Sequence, residues 1–214
     1  MRRVYSESWP LVELCCSPVL EALAERRIEL LAAVRPGQEH EAAALIDRAR
    51  TIDLAIGLWP MLDDEQGRWL TPDNAAVFER WLGSLPLSSV DTLVLDLELP
   101  ISDVRALIDG RLGAARGWID RELDPRPHAR IVRAARARGV PEVMAAVIPF
   151  ALAEGRAGLG WQRALGTPVD DVDYDVVSAM LYTSLFEGYG FGVLGRDDAR
   201  ALLSRFASLG AARF

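Results

Sequence analysis

Six short apolar runs, each followed by a stretch with helical periodicity, constrain the fold of this chain more than any other feature. They predict strands over residues 2–8, 28–36, 52–60, 90–100, 140–150 and 174–186. Most of these runs are continuously apolar rather than alternating, as in strands covered on both faces of a parallel sheet. Helices are expected over 18–26, 39–50, 72–82, 126–138, part of 151–165, and 197–209. The second of these places Ala42, Ala43, Leu45 and Ile46 on one face, and Thr71-Pro72-Asp73 carries a helix-start signal.

Successive βα units point to a single α/β domain over residues 1–214, built as a parallel (β/α) barrel of the TIM type. About six units are present where a full barrel has eight, and the chain stops at "AARF" where a seventh strand would begin. The expectation is therefore an incomplete barrel, truncated at its C-terminal side. An open doubly wound sheet is the alternative architecture.

The chain contains no lysine: all 24 Lys and Arg positions are Arg. Schiff-base chemistry, pyridoxal-phosphate attachment and the P-loop cation all require that amine, so these classes fall away. The two histidines, His40 and His128, both lie in polar helical segments. That is too few for a multi-histidine zinc site or for a Ser-His-Asp triad, so no metal and no cofactor is expected. Cys15 and Cys16 are adjacent and read as two small residues on a buried helix face.

A net charge of −7 disfavours nucleic acid as a partner, and no apolar run approaches the roughly 20 residues of a membrane span. Met1-Arg2-Arg3 leads into "VYSESW" with no signal-peptide core, so a cytoplasmic location is expected unless a leader has been removed. Composition says nothing about oligomeric state.

In a parallel barrel the active site lies at the C-terminal ends of the strands. The polar groups expected there are Glu7 and Trp9 after strand one, Arg35 after strand two and Trp59 after strand three. Asp96 and Glu98 follow on strand four, and Tyr182 on strand six. Asp96 and Glu98 share a face about 6.6 Å apart along the strand, leaving Leu95, Leu97 and Leu99 to face the helices. Two carboxylates buried together repel, so one is held protonated near neutrality, which suits a general acid. The alternative is a structural charge pair neutralised by Arg35 or another barrel arginine.

The stretch "DTLVLDLELP", from Asp91 to Pro100, resembles the DxxDxDxE motif on the fourth strand of chitinase-type glycoside hydrolases. Asp91, Asp96, Glu98 and Pro100 match, and Val94 replaces the middle Asp. "MLYT", from Met180 to Thr183, is similar to that family's M-x-Y-D with Thr183 in place of Asp. "AIGLW" keeps only Gly57 of an S-x-G-G pattern. The resemblance implies a carbohydrate substrate and Glu98 as the acid that protonates the glycosidic oxygen. It further implies Asp96 orienting a substrate N-acetyl group as internal nucleophile, and Tyr182 donating a hydrogen bond to that group.

Trp9, Trp59 and Trp69 are candidate sugar platforms, whereas Trp81, Trp118 and Trp161 lie on helical stretches and read as packing. Glu187 offers a second carboxylate for a conventional two-carboxylate mechanism, in a loop shared with Tyr189. "GFGVLG" (190–195) satisfies a dinucleotide-binding pattern, but Asp197 and Asp198 open the next helix and oppose a pyrophosphate there. The long segment 101–123 is placed to wall a cleft. A barrel that binds carbohydrate without cleaving it is the alternative function, motivated by Val94 and Thr183. An isomerase or aldolase barrel is disfavoured by the lack of Lys and shortage of His.

Overall fold

The computed structural model describes residues 2–109, 122–154, 160–181 and 195–211. Its six strands are β1 (Arg2–Ser6), β2 (Ile28–Val34), β3 (Ile56–Pro60), β4 (Thr92–Leu97), β5 (Glu142–Val147) and β6 (Val176–Ala179). They form one sheet in the order β1-β2-β3-β4-β5-β6, every neighbouring pair parallel. The helices are α1 (Leu11–Cys15), α2 (Val19–Glu25), α3 (Glu39–Thr51), α4 (Ala75–Leu82), α5 (Ile101–Ile108), α6 (Arg126–Ala137), α7 (Trp161–Leu165) and α8 (Arg196–Ala211).

The strands sort their side chains onto two different surfaces. Leu30, Ala32 and Val34 of β2, Leu93, Leu95 and Leu97 of β4, and Val143, Ala145 and Val147 of β5 pack with Leu14, Leu45, Ile46, Phe78, Leu82, Ile131 and Val132 of the helices. Each fully buried side chain of this kind contributes roughly 1.5–3 kcal/mol. The intervening residues Leu31, Val94, Met144 and Ala146 form a separate small cluster, with Tyr5, Trp59 and Val176 against it. This second cluster contains no helix residue, so the sheet's other face packs against itself. Continuous apolar runs thus arise here without helices on both faces. A doubly wound sheet has a reversal in strand order and helices on its second face, and neither occurs among the described residues.

Such packing requires the sheet to curl. Tyr5 Oη on β1 donates to Ser178 Oγ on β6 at 3.5 Å, although four strands separate them in the order. Arg3 on β1 reaches Glu29 on β2 at 2.7 Å and also pairs with Glu142 on β5. The Thr92 hydroxyl donates to the same Glu29 carboxylate, which is 1 % exposed. A polar plug therefore fills the concave face at the N-terminal ends of the strands, where barrels place residues for stability. Gly57 sits just above it, where a Cβ would come within 2.6 Å of Leu31 Cδ2 and 2.8 Å of the Thr92 carbonyl. Two strand starts share a further device. Asp91 accepts from the Ile56 amide at 2.9 Å, and Asp175 from the Val143 amide at 2.7 Å.

Several boundaries depart from the sequence reading. The third strand begins at Ile56 rather than residue 52, because α3 continues to Thr51 and a left-handed Asp53 (φ 55°) turns the chain. The sixth strand is only Val176–Ala179. The predicted start at 71–73 gives way to Ala75, because Asn74 is engaged with Thr71 in a reciprocal turn. Nor are the cysteines buried together: Cys15 ends the short α1 half-buried, and Cys16 follows it exposed. No helix among the described residues is long and apolar enough to cross a membrane.

Candidate active site

Strand β4 carries its leucines into the helix-side core and Asp96 onto the concave face. Glu98 follows one residue beyond the strand's end. Leu99, 4 % exposed, continues the helix-facing series, so the period of two holds through residue 99. The segment is secured beyond the sheet by the Leu70 amide, which donates to the Asp96 carbonyl at 3.2 Å. Asp96 is 1 % exposed and Glu98 9 %.

Burial is the chief influence on both acids. It raises the Asp96 pKa well above the usual carboxylate value, and the Glu98 charge raises it further. Glu98 is pushed up to about 7, first by burial and then by the neighbouring Glu7 charge, with Arg68 pulling in the opposite direction. Burial thus shifts both acids toward their protonated forms. Neither Asp96 oxygen has a hydrogen-bond partner among the described residues. The Trp59 indole N–H favours the ionised Asp96 electrostatically. It nonetheless makes no bond of normal geometry and is buried unpartnered itself. An unpaired buried carboxyl costs roughly 1–3 kcal/mol or more, and structures retain such groups where they serve chemistry.

Arg68, which no sequence motif singles out, is the cation acting on this pair. It follows Gly67 (φ 95°) and itself adopts a left-handed backbone (φ 60°), a conformation of order 1–3 kcal/mol in cost. Its guanidinium binds Asp64 at 2.7 Å, approaches Glu7 at 4.0 Å and lies 5.6 Å from the centre of the Trp69 ring. The loop holding it is pinned by buried Asn74. That side chain donates to the Gln66 carbonyl at 3.0 Å and the Trp69 carbonyl at 2.6 Å, and accepts from the Thr71 amide at 2.8 Å. A Gly-Arg pair in a turn marks a bend in sequence, but nothing local shows that it folds back over the β4 terminus. The expected neutralising cation was Arg35 or another barrel arginine, and it is Arg68 whose charge acts on both acids.

Glu7, Trp9 and Arg35 come together beside the pair. With Leu11, Ala33 and Gln38 they line a cleft of about 330 Å³ over the ends of β1 and β2. Trp9 is exposed, consistent with a platform, while Trp59 is half-buried with its ring edge-on to Tyr5 at 5.5 Å. Trp69 is buried at 8 % exposure and is not available as a platform. Trp161 stacks on Phe150 at 4.9 Å, and Trp81 packs against Phe78 and donates to Glu39 at 2.8 Å. His128 is not on a polar surface but fully buried in α6, where burial lowers its pKa to about 4 and keeps it neutral.

Tyr182, Thr183, Glu187, Tyr189 and Trp118 lie outside the described residues, as do most of the glycine-rich 190–195 stretch and residues 110–121 of the long segment. No group of three or more His, Cys, Asp or Glu side chains among the described residues is arranged to hold a metal ion. No protein-family model, no curated protein and no solved structure matches this chain.

Proposed function

We propose that the C-terminal mouth of the curled sheet hydrolyses a glycosidic bond, on a scaffold of the TIM-barrel type, with Glu98 as general acid. The observation that carries this reading is Asp96 and Glu98 side by side at the end of β4, buried and facing the concave side. A carboxyl whose pKa is about 7 is substantially protonated at neutral pH yet remains a competent proton donor to a leaving oxygen. As Glu98 gives up its proton, its negative charge develops within reach of the positive field of Arg68. Neither Asp96 oxygen has a hydrogen-bond partner among the described residues, so its carboxyl is free to hydrogen-bond and orient a substrate group beside the reacting bond. By the motif resemblance that group is a substrate N-acetyl, held on its other side by Tyr182.

The experiment is Glu98→Gln assayed against a panel of aryl glycosides and polysaccharides. The expected loss is roughly 10²–10⁴-fold in kcat/KM, the usual contribution of a general acid. Unchanged turnover on a substrate that the parent protein hydrolyses overturns the assignment.

One observation favours a second reading, a barrel that binds carbohydrate without cleaving it. Val94, where the resembling motif has its middle Asp, is fully buried and packs with Leu31, Met144 and Ala146. No carboxylate at that position exchanges a proton with Asp96. Calorimetric binding of oligosaccharides with no reducing ends released, even at high protein concentration, supports this reading over catalysis.

A further inference from the structure

The cleft over the ends of β1 and β2 contains a cation that no described residue satisfies. Arg3 is engaged by Glu29 and Glu142, Arg68 by Asp64 and Glu7, and Arg105 by Asp64. The Arg35 guanidinium makes no hydrogen bond or ion pair with any described residue. This isolation does not come from a loose backbone. The Arg35 amide donates to Gln38 Oε1 at 2.9 Å, and its carbonyl accepts from the Gln38 amide at 3.1 Å, fixing the turn from β2 to α3. Glu7 lines the same cleft but takes Arg68 as its ion-pair partner. A half-buried guanidinium on the wall of an open cleft presents its fork of N–H donors to whatever enters.

The opposite requirement is met by Trp9. Its indole is 43 % exposed on the rim of that cleft, although a side chain of this size gains most from being covered. The cleft volume, about 330 Å³, is at the lower end of small-ligand sites. One planar fork for a carboxylate and one flat apolar face for a ring together describe a carboxylated pyranose. A doubly charged phosphate is less well matched, because Glu7 lies on the same wall and the chain's net charge is −7. The cleft joins the carboxylate pair through Glu7, whose charge acts on both Asp96 and Glu98.

We infer that this cleft is a sugar subsite for a uronic-acid-type residue, with Arg35 gripping the carboxylate and Trp9 supporting the ring. The inference rests on the carbohydrate-directed reading of the neighbouring site, whether that site cleaves its ligand or only binds it. It makes the polymer recognised an acidic one, with a carboxylated unit next to the bond that Glu98 addresses.

Calorimetry on the full chain carrying Glu98→Gln separates this inference from the catalytic reading, because binding is measured whether or not turnover occurs. The probes are galacturonate, mannuronate and glucuronate trisaccharides, each beside the neutral trisaccharide of the same sugar, with glucose 6-phosphate as the phosphate arm. At least one acidic trisaccharide is expected to bind roughly tenfold or more tightly than its neutral counterpart, as one charge-assisted bidentate contact provides. Adding Arg35→Ala is expected to abolish that preference with a smaller loss of neutral affinity, and Arg35→Lys to restore part of the preference. Adding Trp9→Ala is expected to weaken both members of the pair. The inference is overturned if no acidic member is preferred, if the preference survives Arg35→Ala, or if the sugar phosphate binds as tightly as the uronates.

Discussion

The concave face of this sheet carries two carboxylates at each end, and the two ends treat them in opposite ways. At the N-terminal end, Glu29 and Glu142 share Arg3, and the Thr92 hydroxyl completes the Glu29 shell. At the C-terminal end, neither carboxyl oxygen of Asp96 has a hydrogen-bond partner among the described residues, and the nearby Arg68 is divided between Asp64 and Glu7. Desolvation is comparable at the two ends, since Glu29 and Asp96 are each 1 % exposed. What differs is the supply of donors. One end pairs its acids with a cation and a hydroxyl, and the other leaves its acids short of donors, where burial raises their pKa. A fold tolerates the second arrangement only where something other than stability maintains it.

The sharpest way to break this contrast is to remove the cation from the satisfied end. Arg3→Met leaves Glu29 buried beside the plug without its counter-ion, and the expected loss is about 3–5 kcal/mol, read by urea unfolding at neutral pH. A change below about 1 kcal/mol would show that the plug contributes little and that the two ends are alike.

A somewhat smaller effect, of opposite sign, is expected at the unsatisfied end. The folded-state pKa of Glu98 is raised to about 7 from an ordinary value of 4.5, so the folded protein binds more protons than the unfolded chain between those limits. Stability is therefore lost as pH rises through that window, and the loss is complete above it. Glu98→Gln removes the titrating group and is expected to stabilise the protein by up to about 3 kcal/mol at pH 8, with little change at pH 4. Thermal unfolding at both pH values tests this, and equal shifts at the two would refute it. Taken with the expected loss of turnover, the same substitution trades activity for stability.

The mildest expectation concerns Arg68. Its charge lowers the proton affinity of both acids, so Arg68→Met should move the Glu98 titration upward by a fraction of a pH unit. Carbon-13 titration of the Glu98 carboxyl measures this without reliance on activity. A downward movement would mean that Arg68 acts on the pair through loop structure rather than through charge.

How much of this was legible in the sequence varies with the range of the interactions. The parallel sheet, its six strands and the common face of Asp96 and Glu98 follow from apolar runs and a period of two, both properties of a few adjacent residues. Glu7, Trp9 and Arg35 lie just beyond the ends of β1 and β2, where they line one cleft. Trp69 was misread, since an indole in a polar loop gives no sign that the loop turns inward. For His128 the sequence shows a polar helix, and the structure adds that position 128 lies on the face that packs with Ile131 and Val132.

The sequence by itself determined that two acids would stand together at the end of an apolar strand. Tertiary structure alone decided which cations meet which acids. Arg3 and Glu142 lie 139 residues apart, and only the curl that brings β1 across to β5 joins them. Among the candidate arginines it is Arg68 that acts on the pair, because a left-handed turn, clamped by Asn74, folds the loop after β3 back onto β4. Alternation along a strand is fixed by backbone geometry within two residues, whereas charge pairing across a curled sheet depends on how far the whole sheet closes.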